Sequence, residues 1–155
     1  IGVVLGFATL SIGGRSLDDR LAEDAARLQR VLQIASEEAV MTTAEIGFLP
    51  TQDGYAFLVR GEEQWVPIDN PRSPLRPYKF EIPAKVGFRE LPANLPTPNS
   101  DDPAAIAPQI YFFSSGELTP FDLGLAVESQ EPRFAIQGRI DGLVSLVPIT
   151  NEDGF

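Results

Sequence analysis

The chain has no cysteine and no histidine, and only one methionine and one tryptophan among its 155 residues. Without cysteine there is no disulfide and no thiolate nucleophile. With histidine missing as well, there is no ordinary zinc site and no Ser-His-Asp triad. The missing cysteines leave the compartment open, since many proteins of oxidising compartments also lack them. Any catalysis falls to carboxylates, hydroxyls, lysine and tyrosine. Positive charge is also scarce, with 12 Lys and Arg against 22 Asp and Glu and a net charge of -10. That balance argues against unassisted nucleic-acid binding, because phosphate backbones require clustered cations. The acidity itself reads as a solvated surface. The length suits one domain with a core that needs no disulfide or metal staple.

Long apolar runs are absent except at the start. Residues 1–12 carry no charge and almost no polarity. They are too few to cross a bilayer, which takes roughly 20 apolar residues. Three readings fit them: the end of a longer transmembrane helix, a buried core element, or the remnant of a secretory signal. The first is preferred. Gly13-Gly14 then reads as a joint, since adjacent glycines weaken a helix.

From residue 13 to about 41 the pattern is helical. Leu17, Leu21, Ala25, Leu28, Leu32, Ala35 and Ala39 follow at steps of four and three, which places them on one face. Arg20, Glu23, Asp24, Arg27, Arg30, Glu37 and Glu38 fall on the other. Ser16 suits an N-cap, with Asp18 and Asp19 in the first turn. Such a helix is roughly 36 Å long at ~1.5 Å per residue.

Residues 42–155 change character. Short β-type runs at 46–49, 55–59 and 64–68 are separated by turns, the strongest at Asp53-Gly54, and predict an antiparallel meander. Pro67 places the third strand at an edge, or marks that strand's end. Further strand candidates are 80–82, 86–88, 110–113, 119–128, 134–136 and 143–147. Residues 92–108 read as a long surface loop and the last residues as a frayed tail. The expected class is α+β: one long N-terminal helix packed on antiparallel sheets forming a small sandwich.

Little in this pattern selects chemistry. Trp65 suits either a partner anchor or a core aromatic, and the core reading is favoured. Asn99, Ser100, Asp101 and Asp102 offer oxygens for calcium but lack the spaced ligands of an EF-hand loop, so a solvated loop is the simpler reading. No glycine-rich phosphate loop is present, no carboxylate pair stands out, and no cofactor is expected.

The strands carry a resemblance. Asp53-Gly54-Tyr55-Ala56-Phe57-Leu58, then Trp65, then Ile110-Tyr111-Phe112 followed by Gly116-Glu117-Leu118-Thr119-Pro120-Phe121, and finally Gly138-Arg139-Ile140-Asp141-Gly142 together resemble the minor pseudopilin H family of bacterial type II secretion systems. Gly116, Glu117, Thr119, Pro120 and Phe121 form the most specific piece. The likeness spans nearly the whole chain, and minor pilins of type IV pili are its near relatives. The family's prepilin cleavage motif and the glutamate that follows it are not among these residues.

The resemblance implies a pilin-like fold and a non-catalytic subunit. It implies a single-pass inner-membrane protein with a periplasmic domain, built into a short pseudopilus that drives folded proteins through an outer-membrane channel. Ile1, Val3, Val4, Leu5, Phe7, Leu10 and Ile12 would then belong to the membrane and assembly helix. The expected partners are other minor pseudopilins of the tip complex, the major pseudopilin, the membrane and, in a further reading, secreted cargo. Arg20, Arg27 and Arg30 are the expected subunit contacts on the exposed helix face. The competing readings are a type IV minor pilin and a periplasmic cargo-binding module.

Overall fold

The computed structural model describes residues 16–90 and 107–150. The apolar start, the joint at Gly13-Gly14, the cluster from Asn99 to Asp102 and the tail after residue 150 lie outside the described residues.

Helix α1 spans Leu17–Thr42. The Ser16 hydroxyl accepts from the Asp19 amide at 3.2 Å, as an N-cap serine does. The far end closes on Thr43, which is left-handed (φ 54°). Leu21, Ala25, Leu28, Leu32, Ala35 and Ala39 are fully buried, and Val31 widens the stripe. The stripe is one turn shorter than its periodicity suggests, for Leu17 remains 41% exposed. Asp24 departs further: it was expected on the solvent face and is buried.

Nine strands follow among the described residues: β1 (Ile46–Thr51), β2 (Gly54–Arg60), β3 (Trp65–Pro67), β4 (Tyr78–Lys79), β5 (Ala84–Glu90), β6 (Ile110–Phe112), β7 (Phe121–Val127), β8 (Phe134–Gly138) and β9 (Val144–Pro148). They form two antiparallel sheets. One has the order β3-β2-β1-β6, with β4 also paired to β2; the other has the order β5-β7-β8-β9. The meander and the edge position of β3 are as expected.

Two strand expectations need correction. Residues 80–82 are not a strand: β4 lies just before them, and Phe80 and Ile82 point into the core. Pro83 follows without an amide to donate, and β5 starts beyond it. The strand expected from residue 119 starts at Phe121, because Leu118 and Thr119 are still bound to β6. Leu118 bridges Phe112, and the Thr119 amide donates to the Tyr111 carbonyl at 2.9 Å.

The core lies between the sheets and α1. Phe48, Tyr55 and Phe57 form a cluster of rings with centroids 5.4–6.0 Å apart, an arrangement worth about 0.5–1.5 kcal/mol per pair beyond area burial. Two helix glutamines finish the edge of β9. Gln29 donates to the Val144 carbonyl at 2.9 Å, and the Gln33 side-chain oxygen accepts from the Val144 amide at 3.0 Å. The helix thus takes the place of the next strand.

Candidate interaction surface

The residues that carried the resemblance gather in three places. Asp53 and Gly54 make the turn into β2. Asp53 pairs with Lys79 at 3.0 Å, and its carbonyl accepts from the Phe80 amide at 2.9 Å. A Cβ at Gly54 would fall 1.8 Å from the Tyr78 carbonyl oxygen, so this β2–β4 rung tolerates no side chain.

Gly116, Glu117, Thr119, Pro120 and Phe121 shape the passage from β6 to β7. Gly116 has φ +92°. The Glu117 carbonyl accepts from the Phe113 amide at 2.9 Å, and the Thr119 hydroxyl accepts from the Tyr111 amide at 3.3 Å. The Phe121 ring covers Gly138, where an added Cβ would sit 2.1 Å from it. Gly142 (φ +91°) backs onto the Gly116 carbonyl, so the two glycine turns meet beside Ser36 and Val40 of α1. Around this end of the helix Val40, Met41, Ile140 and Leu143 are exposed.

Trp65 is half-buried rather than a core residue. It stands opposite Arg60 on the last rung of β2 and β3, on the sheet face turned away from Phe57 and Tyr55. Its ring lies 5.5 Å from Tyr111, and the Arg60 guanidinium sits 5.6 Å from its centroid. On this outer face the Trp65 ring and Pro108 close over Gly47, where an added Cβ would sit 2.3 Å from Pro108 and 3.3 Å from the ring.

The helix arginines border two clefts between α1 and the 71–82 segment. Arg20 and Arg27 line a cleft of about 230 Å³ with Glu23, Asp24, Tyr78, Glu81 and Ile82. Arg27 and Arg30 line a second, of about 320 Å³, with Val31, Ile34, Tyr55, Pro74, Arg76 and Tyr78. Arg20 and Arg30, expected to act together, therefore face different surroundings, and Arg27 stands between them.

Tyr78 organises this region. Its ring stacks on Tyr55 at 5.5 Å, the Arg27 guanidinium lies 4.6 Å from its centroid, and its hydroxyl donates to Asp24 Oδ1 at 3.0 Å. Burial pushes the Asp24 carboxyl above its ordinary range, and the Tyr78 hydrogen bond offsets part of that. Burial also raises the Tyr55 and Tyr78 phenols, and the neutral Tyr78 hydroxyl is the one that donates to Asp24. Arg76 and Tyr78 were not singled out from sequence, and Tyr55 entered only as part of the run that follows Asp53-Gly54. The one available signal was Arg76-Pro77-Tyr78, a basic and aromatic run in an acidic chain. Among the described residues no group of three or more acidic side chains is placed to hold a metal, and no helix is long and apolar enough to cross a membrane.

A long amphipathic helix laid over two antiparallel sheets is the α+β architecture of pilin-like subunits. Comparison with known proteins makes this particular. A family model described as "Type II transport protein GspH" matches residues 24–142. The Type II secretion system protein H of Pseudomonas aeruginosa is 32% identical over 138 residues, covering 86% of this chain and 78% of the relative. The protein of the same name from Aeromonas hydrophila is 27% identical over 146 residues, covering 86% and 77%. The crystal structure of the minor pseudopilin EpsH of Vibrio cholerae superposes with a TM-score of 0.70 at 22% identity, covering 88% of this chain and all 100% of that one. The type IV minor pilin FimU of Pseudomonas aeruginosa superposes at 0.57 and 17% identity, covering 84% and 90%. The chain belongs to the type II transport protein GspH family.

Proposed function

We propose that this chain is a minor pseudopilin of a type II secretion system. It is a structural, non-catalytic subunit that joins the tip of the pseudopilus and helps drive folded proteins across the outer membrane. The observation that carries this reading is the family match over residues 24–142. The likeness to FimU concerns the fold alone and gives the type IV pilus no comparable support. In this reading residues 1–12 are the last part of a single inner-membrane helix, residues 13–41 continue it as the amphipathic helix, and residues 42–155 form the periplasmic body.

Assembly contacts then come from the membrane half and from the exposed flank of α1, where Arg20, Arg27 and Arg30 stand. The partners are the other minor pseudopilins at the tip and the major pseudopilin below them. Deletion of the gene in the source bacterium tests the function. Secreted enzymes should accumulate folded in the periplasm while pilus-dependent motility stays normal. Normal secretion with lost motility would move the chain to a type IV pilus. At the contact level, Arg20→Glu with Arg30→Glu should reduce co-purification with the other minor pseudopilins, while circular dichroism stays unchanged. Undiminished co-purification would remove these arginines from the interface.

A further inference from the structure

The cleft lined by Arg27, Arg30 and Arg76 has a composition that packing alone does not explain. Its lining holds three guanidinium groups and no carboxylate, in a chain whose net charge is -10. Like charges in one concavity repel one another, and low-dielectric walls strengthen the repulsion. The neighbouring cleft, by contrast, sets Arg20 and Arg27 against Glu23, Asp24 and Glu81.

Two of the three arginines are held in place. Arg27 is held over the Tyr78 ring. Arg76 donates to the Pro71 and Ser73 carbonyls at 3.3 and 3.5 Å, which fixes it to its own loop. Arg30 is exposed, and no carboxylate lies within ion-pair distance of it among the described residues. A guanidinium carries five N–H donors in a planar fork that suits a carboxylate, and most of these donors have no partner inside the cleft.

We propose that this cleft receives an acidic segment of a neighbouring protein subunit, with carboxylate side chains bound by Arg30 and Arg76 beside Arg27. Naming the subunit as a pseudopilin rests on the function proposed above; the cleft's chemistry does not. Val31, Ile34 and Pro74 add an apolar wall, which fits a segment that alternates acidic and apolar side chains. A nucleic acid is disfavoured because a long polyanion would run onto the acidic surface around the cleft. Charge complementarity of this kind sets register and partner choice as well as affinity, so the cleft would specify which subunit sits against this flank of α1.

The test is calorimetric titration of the full 155-residue chain in detergent, using two probes. The first is the soluble domains of the other minor pseudopilins of the same system, one at a time. The second is the peptide Glu-Leu-Glu-Leu-Glu, compared with Gln-Leu-Gln-Leu-Gln and with inorganic phosphate. Arg30→Glu with Arg76→Glu should weaken the pseudopilin complex at least tenfold and flatten its dependence on salt. Lys85→Glu with Arg139→Glu, an equal charge change elsewhere, should alter it less than twofold. The acidic peptide should bind the wild type but not the cleft variant, and the glutamine peptide should bind neither.

A pseudopilin complex untouched by the cleft variant would overturn the proposal while leaving the pseudopilin reading standing. Binding of the acidic peptide with no response to any pseudopilin would keep the cleft and overturn its assignment to a pseudopilin partner. Equal losses in both double variants would reduce the effect to bulk charge and overturn the cleft. Phosphate binding as tight as the peptide would assign it to a free anion instead.

Discussion

Gly54 and Gly87 both occupy strands, and their surroundings are opposite. At Gly54 an added Cβ meets the Tyr78 carbonyl at 1.8 Å; at Gly87 it meets nothing within 4 Å. Backbone cannot step aside as a flexible side chain does, so Gly54→Ala should destabilise by about 1–3 kcal/mol or more, as overpacking does. Gly87→Ala should be neutral or slightly stabilising, since glycine in a strand carries an entropic penalty. Urea unfolding of both variants checks the contrast, and equal midpoints would contradict it. Asp24 is the residue where pH enters. Burial raises its carboxyl above the ordinary 3.8, the Tyr78 hydrogen bond and Arg27 act against the rise, and Glu81 and Glu23 add to it. A raised carboxyl holds a proton that the unfolded chain has already released. Its penalty is therefore absent below 3.8, grows as pH climbs through the folded value and is complete above it. Asp24→Asn lacks that penalty, so its stability relative to wild type should increase with pH across this window. Unfolding midpoints measured from pH 3 to pH 7 would show it; a constant difference would mean that the burial of Asp24 carries no charge cost. From sequence Asp24 looked like one more surface acid at helical spacing. Only the arrival of Tyr78 from 54 residues away buries it.

At the scale of elements, the helix was legible and its capping of the sheet edge was not. Steps of four and three predict which face of α1 is apolar, and Leu21 through Ala39 are buried as that spacing requires. Gln29 and Gln33 belong to neither the apolar stripe nor the charged face, yet they complete β9 more than 100 residues later in the chain. Gln33→Ala leaves the Val144 amide without that acceptor. The expected cost is about 1–3 kcal/mol, the range for an unsatisfied partly buried donor. Hydrogen exchange should speed up at Val144 more than at Leu123 in the sheet interior. Unaltered exchange at Val144 would show that water replaces Gln33 without cost. The strands divide in the same way. The β1–β2 hairpin was readable because Asp-Gly between β-type runs has a local geometric cause. The Phe80 to Ile82 run was misread because alternation marks burial, and its apolar residues are buried without pairing. The surface ion pairs, such as Lys85 with Glu128 at 3.3 Å and Arg133 with Asp18, are exposed and add little to stability.

For the whole molecule, composition excludes the chemistry of thiols and imidazoles, and the acidic balance disfavours polyanionic partners. Those conclusions hold for any fold. The sequence by itself also determined the helix, the antiparallel class and the family, because each depends on local periodicity or on short motifs whose residues are near neighbours. Gly116 and Gly142 illustrate the last: both adopt positive φ, where other residues are strained. What only the tertiary structure decided is which distant residues share a place. Arg30 and Arg76 lie 46 positions apart, on a helix and on a proline-punctuated loop, and they meet because β4 pins the end of that loop to β2 at Tyr55 and Tyr78. Arg20, close to Arg30 along the helix, is turned to a different cleft. A helical repeat assigns residues to a face, but what covers that face is fixed by chain that returns from elsewhere. The packing of Tyr78 between Tyr55, Arg27 and Asp24 is what turned one charged helix flank into two clefts of different charge.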